Sequence, residues 1–439
     1  MSSRIDIEQE SGTMSRGISV AGGGVAQWIT WGGLALALLV LPHVFSQGFS
    51  LSLLQQAGIM VIFALSYNML LGQAGMLSFG HALYFGLGAY FTLHAINAAS
   101  AGLFFIPLSL MPLVGGLAGA FFGLVFGYVS TRRAGTTFAM ISLGLGELVH
   151  AAALMFSFFG GEGGISGDRV YGEPFFGITF GPGIQVYYLI AAWCFVCMLA
   201  MYAFTLTPLG RLANAVRDNP ERVEFIGFNP RKVRWMVLIA SGFFAGIAGG
   251  LMAINQEIVT ADSTNMWRSG SVLLATYIGG TAFFYGPVLG AVVFTLFSVA
   301  LAKATAAWPL YLGIFFIAIV ILSPGGIAGA VAAHAPVLKS RHRSALLARY
   351  LLLLVPLALL IFGLVLLVEM TYRLSGHTVS AQSLSLLGLD FVADELGSWA
   401  KALGIILLGG VLLRPLLRGA KAVWEDIHQE RAEAKGGQP

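Results

Sequence analysis

The chain has 439 residues, of which 57% are hydrophobic and only 10% charged, with a formal net charge of +4. A soluble domain carries about 25% charged residues. A surface built for water is therefore excluded, and the chain is read as an all-α polytopic membrane protein whose segments face lipid or one another.

Residues 1–27 are polar and rich in Gly and Ser, and they mix Arg4 and Arg16 with Asp6, Glu8 and Glu10. They do not resemble a basic start running into a short apolar stretch and a cleavage site, so they are read as a cytoplasmic tail. Apolar runs follow near 28–45, 51–71, 82–97, 104–130, 136–158, 185–206, 235–254, 271–303, 308–323, 346–370 and 397–417. A spanning helix takes about 20 residues. The run 271–303 is too long for one span and is interrupted by GGTAFFYGP at 279–287. It is read as 271–283, too short to cross alone, and 286–303.

Charge supports that division. With both termini in the cytoplasm and a reversal at 279–287, nineteen of the 24 basic residues fall inside, as the positive-inside rule requires. Without the reversal, the basic segment 339–349 would lie outside. The expected architecture is a core over 28–330 with about ten membrane segments, followed by 331–439 with two further spans and a cytoplasmic tail.

Several features could carry chemistry. Cys194 and Cys197 lie in the apolar run YYLIAAWCFVCMLAMYAF and are read as buried thiols rather than a redox or metal pair. Glu147 sits mid-span in MISLGLGELVHAAALMF with His150 three residues on. An ionisable group there marks a cavity or a pairing, and a structural hydrogen bond is the favoured reading over a proton-coupling role. Glu369 lies near a span end and can snorkel. The chain has no G-x-x-x-x-G-K-[ST], no H-E-x-x-H and no G-x-S-x-G, and no lysine follows a glycine.

The stretch GQAGMLSFG, followed by GLGA at 86–89, shares a design with GGTAFFYG, followed by VLGA at 288–291. Both lie toward the same side in this topology, which suggests a weak internal duplication. Irregular backbone at membrane depth is tolerated only against protein or a water-filled cavity. Gln73, Ser78, His81, Glu147, Gly279 and Gly280 are therefore the candidates for lining a path, with close glycine packing as the alternative. His81 either touches cargo or braces the break.

Residues 207–234, TPLGRLANAVRDNPERVEFIGFNPRKVR, form the largest polar insert on the inner side. Asn219 is a good N-cap, Pro220 suits the first helical position, Glu221 complements the positive helix end and Gly227 suits the stop. A helix is expected over 220–226. Arg222 lies within it, and its apolar residues Val223, Phe225 and Ile226 need a partner. That partner is either the membrane interface or a groove in a cytoplasmic protein, which such a rigid helix could push as a unit.

Taken together, LSYNMLLGQAGMLSFGHALYFGLGAY (65–90), GRLANAVRDNPERVEFIGFNPRKVRWMVLIASGFFAGIAGGLMA (210–253), IGGTAFFYGPVLGA (278–291), IVILSPGGIAG (319–329) and GGEGGISGD (160–168) resemble the permease subunits of branched-chain amino acid ABC importers, in particular the M-type half. The extension 331–439 falls outside the usual pattern. The resemblance implies a multi-pass protein of the bacterial inner membrane that works with a second permease, two ATPase subunits and a periplasmic binding protein. ATP and Mg would be bound by the ATPases, and this chain would hold no cofactor, metal or nucleic acid. Relatives also carry urea, short amides or aromatic acids. The loop within 210–253 matches the family's ATPase-docking loop, which makes Asn219, Pro220, Glu221, Arg222, Val223, Phe225, Ile226 and Gly227 the coupling candidates, and Arg169 and Arg268, in the outer loops, are candidates for docking the binding protein or for solvated rim charge. A secondary ion-coupled carrier is the competing class, and a membrane enzyme or channel a weaker one.

Overall fold

The computed structural model describes residues 25–45, 47–103, 105–171, 179–334, 343–374, 383–386, 389–392 and 395–436. Almost all of the expected tail over 1–27, and 335–342 of the basic linker, lie outside them.

Backbone groups in lipid must be satisfied within their own segment, and the apolar runs accordingly form helices. In chain order these begin with α1 (Val25–Val44), α2 (Gly48–Asn68, continued by a π turn to Gln73), α3 (Ala82–Ser100), α4 (Met111–Ser130) and α5 (Thr136–Met155). Next come α6 (Gly183–Leu206), α7 (Pro208–Asp218), α8 (Pro220–Phe225), α9 (Pro230–Gln256) and α10 (Met266–Gly279). The last are α11 (Gly286–Thr295, continued through a π turn to Ala304), α12 (Trp308–Leu322), α13 (Gly326–His334), α14 (Arg343–Leu374) and α15 (Leu396–Gly436). Eight helical stretches among the described residues are long and apolar enough to cross a membrane, or nine when α12 and α13, bent by 45°, count as one. The reading of 271–303 as two pieces matches α10, only 14 residues long, and α11.

The chain forms two compact units. One runs to Lys303 and includes Leu312–Gly329; the other holds Ala304–Tyr311 and the chain from Ala330 onward. The first is built around α9, which meets α3 and α4 along a seam of glycines. A Cβ on Gly88 would lie 2.5 Å from the Gly246 Cα, one on Gly119 would strike the Gly242 carbonyl, and one on Gly249 would strike the Phe85 carbonyl. Lipid gives helices no hydrophobic reason to associate, so backbone contact through small residues supplies the packing.

At one end of this unit lie the arginine-bearing loops around 131–135 and 207–229. At the other, two-residue strands β1 (Ile165–Ser166) and β2 (Ile258–Val259) pair antiparallel and join the loop after α5 to the loop after α9.

In the second unit α14 and α15 run antiparallel. A Cβ on Gly363 would meet Ile406, one on Gly409 would meet Leu360, and Gly419 lies against Arg349. Strands β3 (Ser383–Leu386) and β4 (Leu389–Val392) form an antiparallel pair in the sequence between them. Glu369 accepts hydrogen bonds from the Thr305 hydroxyl at 2.7 Å and the Tyr311 hydroxyl at 3.1 Å. It is held by its own chain rather than snorkelling.

Candidate functional site

The first break lies between α2 and α3. Helix α2 ends in a π turn over Met69–Gln73, and Gly75 takes φ +66°, a region that costs glycine nothing. Tyr67 donates from its hydroxyl to the Ser78 carbonyl at 3.0 Å. The Phe79 and Ala82 N–H groups donate to Ser142 Oγ at 3.1 Å and Ser269 Oγ at 2.9 Å.

His81 is fully buried. Its ring stacks on Phe63 at 5.5 Å and meets the edges of Tyr67 and Tyr84. The single hydroxyl proton of Ser66 goes to the Phe63 carbonyl at 2.7 Å, so His81 must donate from Nε2 to Ser66 Oγ at 3.1 Å. Ser78 is 1% exposed. Neither Ser78 nor His81 reaches the surface of the chain, and of the two roles open to His81, bracing is the one this packing provides. Gln73 is nearly buried, and its Oε1, with Asn68 Oδ1 and His81 Nδ1, has no protein partner among the described residues.

The second break, between α10 and α11, is made of backbone. Gly280 has φ +104° and a Cβ there would strike the Gly325 carbonyl; a Cβ on Gly279 would strike the Gly286 carbonyl. Both glycines are buried in these contacts. The two breaks meet: a Cβ on Gly72 would lie 2.6 Å from the Thr281 carbonyl oxygen.

Glu147 is exposed on α5 and has no hydrogen bond or ion pair among the described residues. The structural hydrogen bond favoured for it belongs instead to His150, whose Nδ1 meets the Ala261 carbonyl at 3.0 Å and Thr264 Oγ1 at 3.2 Å.

The polar loop holds two helices where one was expected. Thr207 caps α7 by accepting from the Gly210 N–H at 3.2 Å, and Asn219 caps α8 by accepting from the Arg222 N–H at 3.0 Å. Helix α8 ends at Phe225, and Gly227, φ +90°, turns the chain just beyond it. Val223 is 1% exposed and anchors α8 to its own chain, so it is not among the residues needing an outside partner. Phe225 is 90% exposed, Ile226 62% and Phe228 48%. Arg217, at the end of α7, packs on Gly75 and donates from Nη1 to the Gly72 carbonyl, while its Nε pairs with Asp218 at 3.0 Å. The loop thus reaches into the first break. Arg217 and Phe228 were not singled out from the sequence. The Thr-Pro start of α7, the same signal as Asn219-Pro220, would have revealed the helix that carries Arg217.

Toward the opposite end, residues of α2, α3, α9, α10 and α11 line an open cleft. Its polar lining is Gln56, Asn255, Gln256, Arg268, Thr295 and Ser298. Arg268 is therefore not a rim charge. Asn265 caps α10 by accepting its N–H at 2.9 Å, which places Arg268 in the first helical turn. Its guanidinium lies 5.2 Å from the Phe85 ring centroid, and Nη2 donates to Met252 Sδ at 3.4 Å. Arg169, by contrast, is satisfied inside the chain. It donates to the carbonyls of Phe180 at 2.9 Å, Gly181 at 3.2 Å and Asn255 at 3.4 Å, and it pairs with Glu257 at 3.7 Å.

Cys194 and Cys197 are free and buried. Among the described residues no group of His, Cys, Asp and Glu is placed to hold a metal ion.

The family model for the branched-chain amino acid transport system permease component matches residues 49–324. Over 318 residues the chain is 27% identical to the high-affinity branched-chain amino acid transport system permease protein LivM of Escherichia coli, covering 66% of this chain and 73% of that one. The LivM protein of Salmonella typhimurium is 26% identical over the same length. A guanosine ABC transporter permease, NupQ of Bacillus subtilis, is 26% identical over 152 residues, 34% of this chain and 44% of its own. No solved structure matches.

Proposed function

Because the chain belongs to the family of branched-chain amino acid transport permease components, we propose that it is one of two permease subunits of an ATP-driven importer in a bacterial inner membrane. In this reading a periplasmic binding protein delivers a branched-chain or related amino acid, and separate ATPase subunits supply the energy. Both termini and α7–α8 lie in the cytoplasm; the cleft and the β1–β2 pair face outward.

The observation that carries this reading is the tip of α8. A capped helix anchored through Val223 presents Phe225, Ile226 and Phe228 with no cover from their own chain. Large apolar side chains grouped on a short rigid element suit insertion into a protein groove. Arg217 continues the line of force, since it joins α7 to the Gly72 carbonyl and so to the first break.

ATP-driven movement of the ATPases pushes α8, α7 follows, and Arg217 shifts the backbone where the two breaks meet. That meeting point, with Gln73, Gly279 and Gly280, is the inner constriction. The unpartnered oxygens of Asn68 and Gln73 are groups that need water or cargo when buried. Glu147, exposed at mid-span, faces the second permease or the path, because facing lipid is costly for a carboxylate.

The test is assembly. Replacing Phe225→Asp and Phe228→Asp should leave the permease folded, since both side chains are exposed, and should weaken co-purification of the ATPases by about 30-fold or more, the ~2 kcal/mol of a buried aromatic anchor. Undiminished co-purification would remove the basis of this reading.

A further inference from the structure

The two arginines near the outward end are built differently. Arg169 spends its donors on three carbonyls and on Glu257, as a structural arginine should. Arg268 has five N–H donors to satisfy, yet its side chain is given one thioether and the face of Phe85. Among the described residues no carboxylate lies within 4.0 Å of it. Asp262 acts on it only from beyond that distance.

The cleft that Arg268 enters has two sides. Amides of Gln56, Asn255 and Gln256 provide neutral donors and acceptors, and the hydroxyls of Thr295 and Ser298, whose protons go to the Ala291 and Thr295 carbonyls, provide acceptor oxygens. Met60, Phe63, Phe85 and Phe294 provide an apolar wall. No acidic side chain lines it. A guanidinium in such a place is matched best by a carboxylate, which it can hold through two parallel hydrogen bonds.

We propose that the Arg268 cleft is the permease's own binding site for a small apolar molecule bearing a carboxylate. The carboxylate sits on Arg268, the apolar tail lies against the aromatic wall, and the neutral amides and hydroxyls receive any further polar group. The proposal rests on the permease reading above and sharpens it. Amino acids and aromatic acids carry the required group. Urea and short amides would cover the guanidinium without neutralising it, and a buried unpaired charge is strongly unfavourable. A cationic cargo would meet a like charge. Specificity then does not reside in the delivering protein alone; the permease checks the charge of what it receives.

The test uses the assembled transporter in lipid nanodiscs and reads thermal unfolding with isovalerate, with its uncharged isostere isovaleramide, and with L-leucine, each at ~10 mM. Isovalerate and leucine should raise the midpoint by about 2 °C, and isovaleramide should leave it unchanged. Arg268→Gln should abolish the isovalerate shift and Arg268→Lys should keep part of it. Equal shifts from isovalerate and isovaleramide, no shift from any probe, or an unchanged isovalerate shift in Arg268→Gln each overturns the site. The comparison of isovalerate with isovaleramide is made on the unaltered chain, so a variant that fails to fold does not protect the proposal. A permease that binds isovalerate but does not retain ATPases would sink the importer reading and leave the site standing; one that retains ATPases but ignores isovalerate does the reverse.

Discussion

At 74–81 the chain is turned by side chains: Tyr67 holds the Ser78 carbonyl, Ser66 holds His81, and Arg217 arrives from a distant helix to hold Gly72. At 280–285 it is turned by backbone meeting backbone at Gly279, Gly280, Gly286 and Gly326, with no polar side chain in those contacts. The two breaks look alike in sequence, yet one can be reset by moving a side chain and the other cannot. A glycine-on-glycine turn has no rotamers through which to yield. The first break is therefore the adjustable one, and it is the one that the polar loop at 207–229 touches.

That difference can be broken or sharpened by substitution. The largest effect is expected at the second break. Gly279→Val forces branched carbons into the Gly286 backbone, and overpacking that cannot relax costs about 3 kcal/mol or more. Loss of monodisperse protein on extraction is the expected result. An intermediate effect is expected for His81→Ala, which removes a buried ring stacked on Phe63 and costs about 2–3 kcal/mol. Thermal unfolding should show the loss, with the ATPases still bound. The smallest effect on stability belongs to Arg217→Ala, about 1 kcal/mol for one partly buried hydrogen bond. Its signature should be functional: ATP hydrolysis by the reconstituted transporter continues while uptake falls. A fall in hydrolysis and uptake together would place Arg217 in assembly rather than in transmission.

Much of the architecture could be read from the residues because a bilayer leaves few choices. Apolar runs must be helices, and the glycines at 72–80 and 279–286 mark where helices stop, whereas those inside α3, α4 and α9 leave the helix unbroken and pack it. The partners at the breaks were illegible, since Ser142, Arg217 and Ser269 lie 63, 145 and 187 residues from the groups they hold. Arg268 was misplaced for a local reason. The apolar run begins at 271, but the Asn265 cap starts α10 at Met266 and draws the arginine out of the loop into the cleft wall. Val223 was counted with Phe225 and Ile226 because a short helix shows its apolar residues but not which of them its own chain covers. Likewise α15 extends to Gly436, well past the apolar run ending at 417, because the charged tail is rich in Ala, Glu, Lys and Arg, which favour helix without burial.

The glycine seam joining α3, α4 and α9 carries a mechanical consequence. Where backbones touch with nothing between them, one helix cannot slide along another without driving a larger side chain into the space that a glycine left. Gly88, Gly119, Gly246 and Gly249 thus deny these three helices any slack. They form a chassis, and whatever strokes the transporter makes are left to parts bolted to it more loosely.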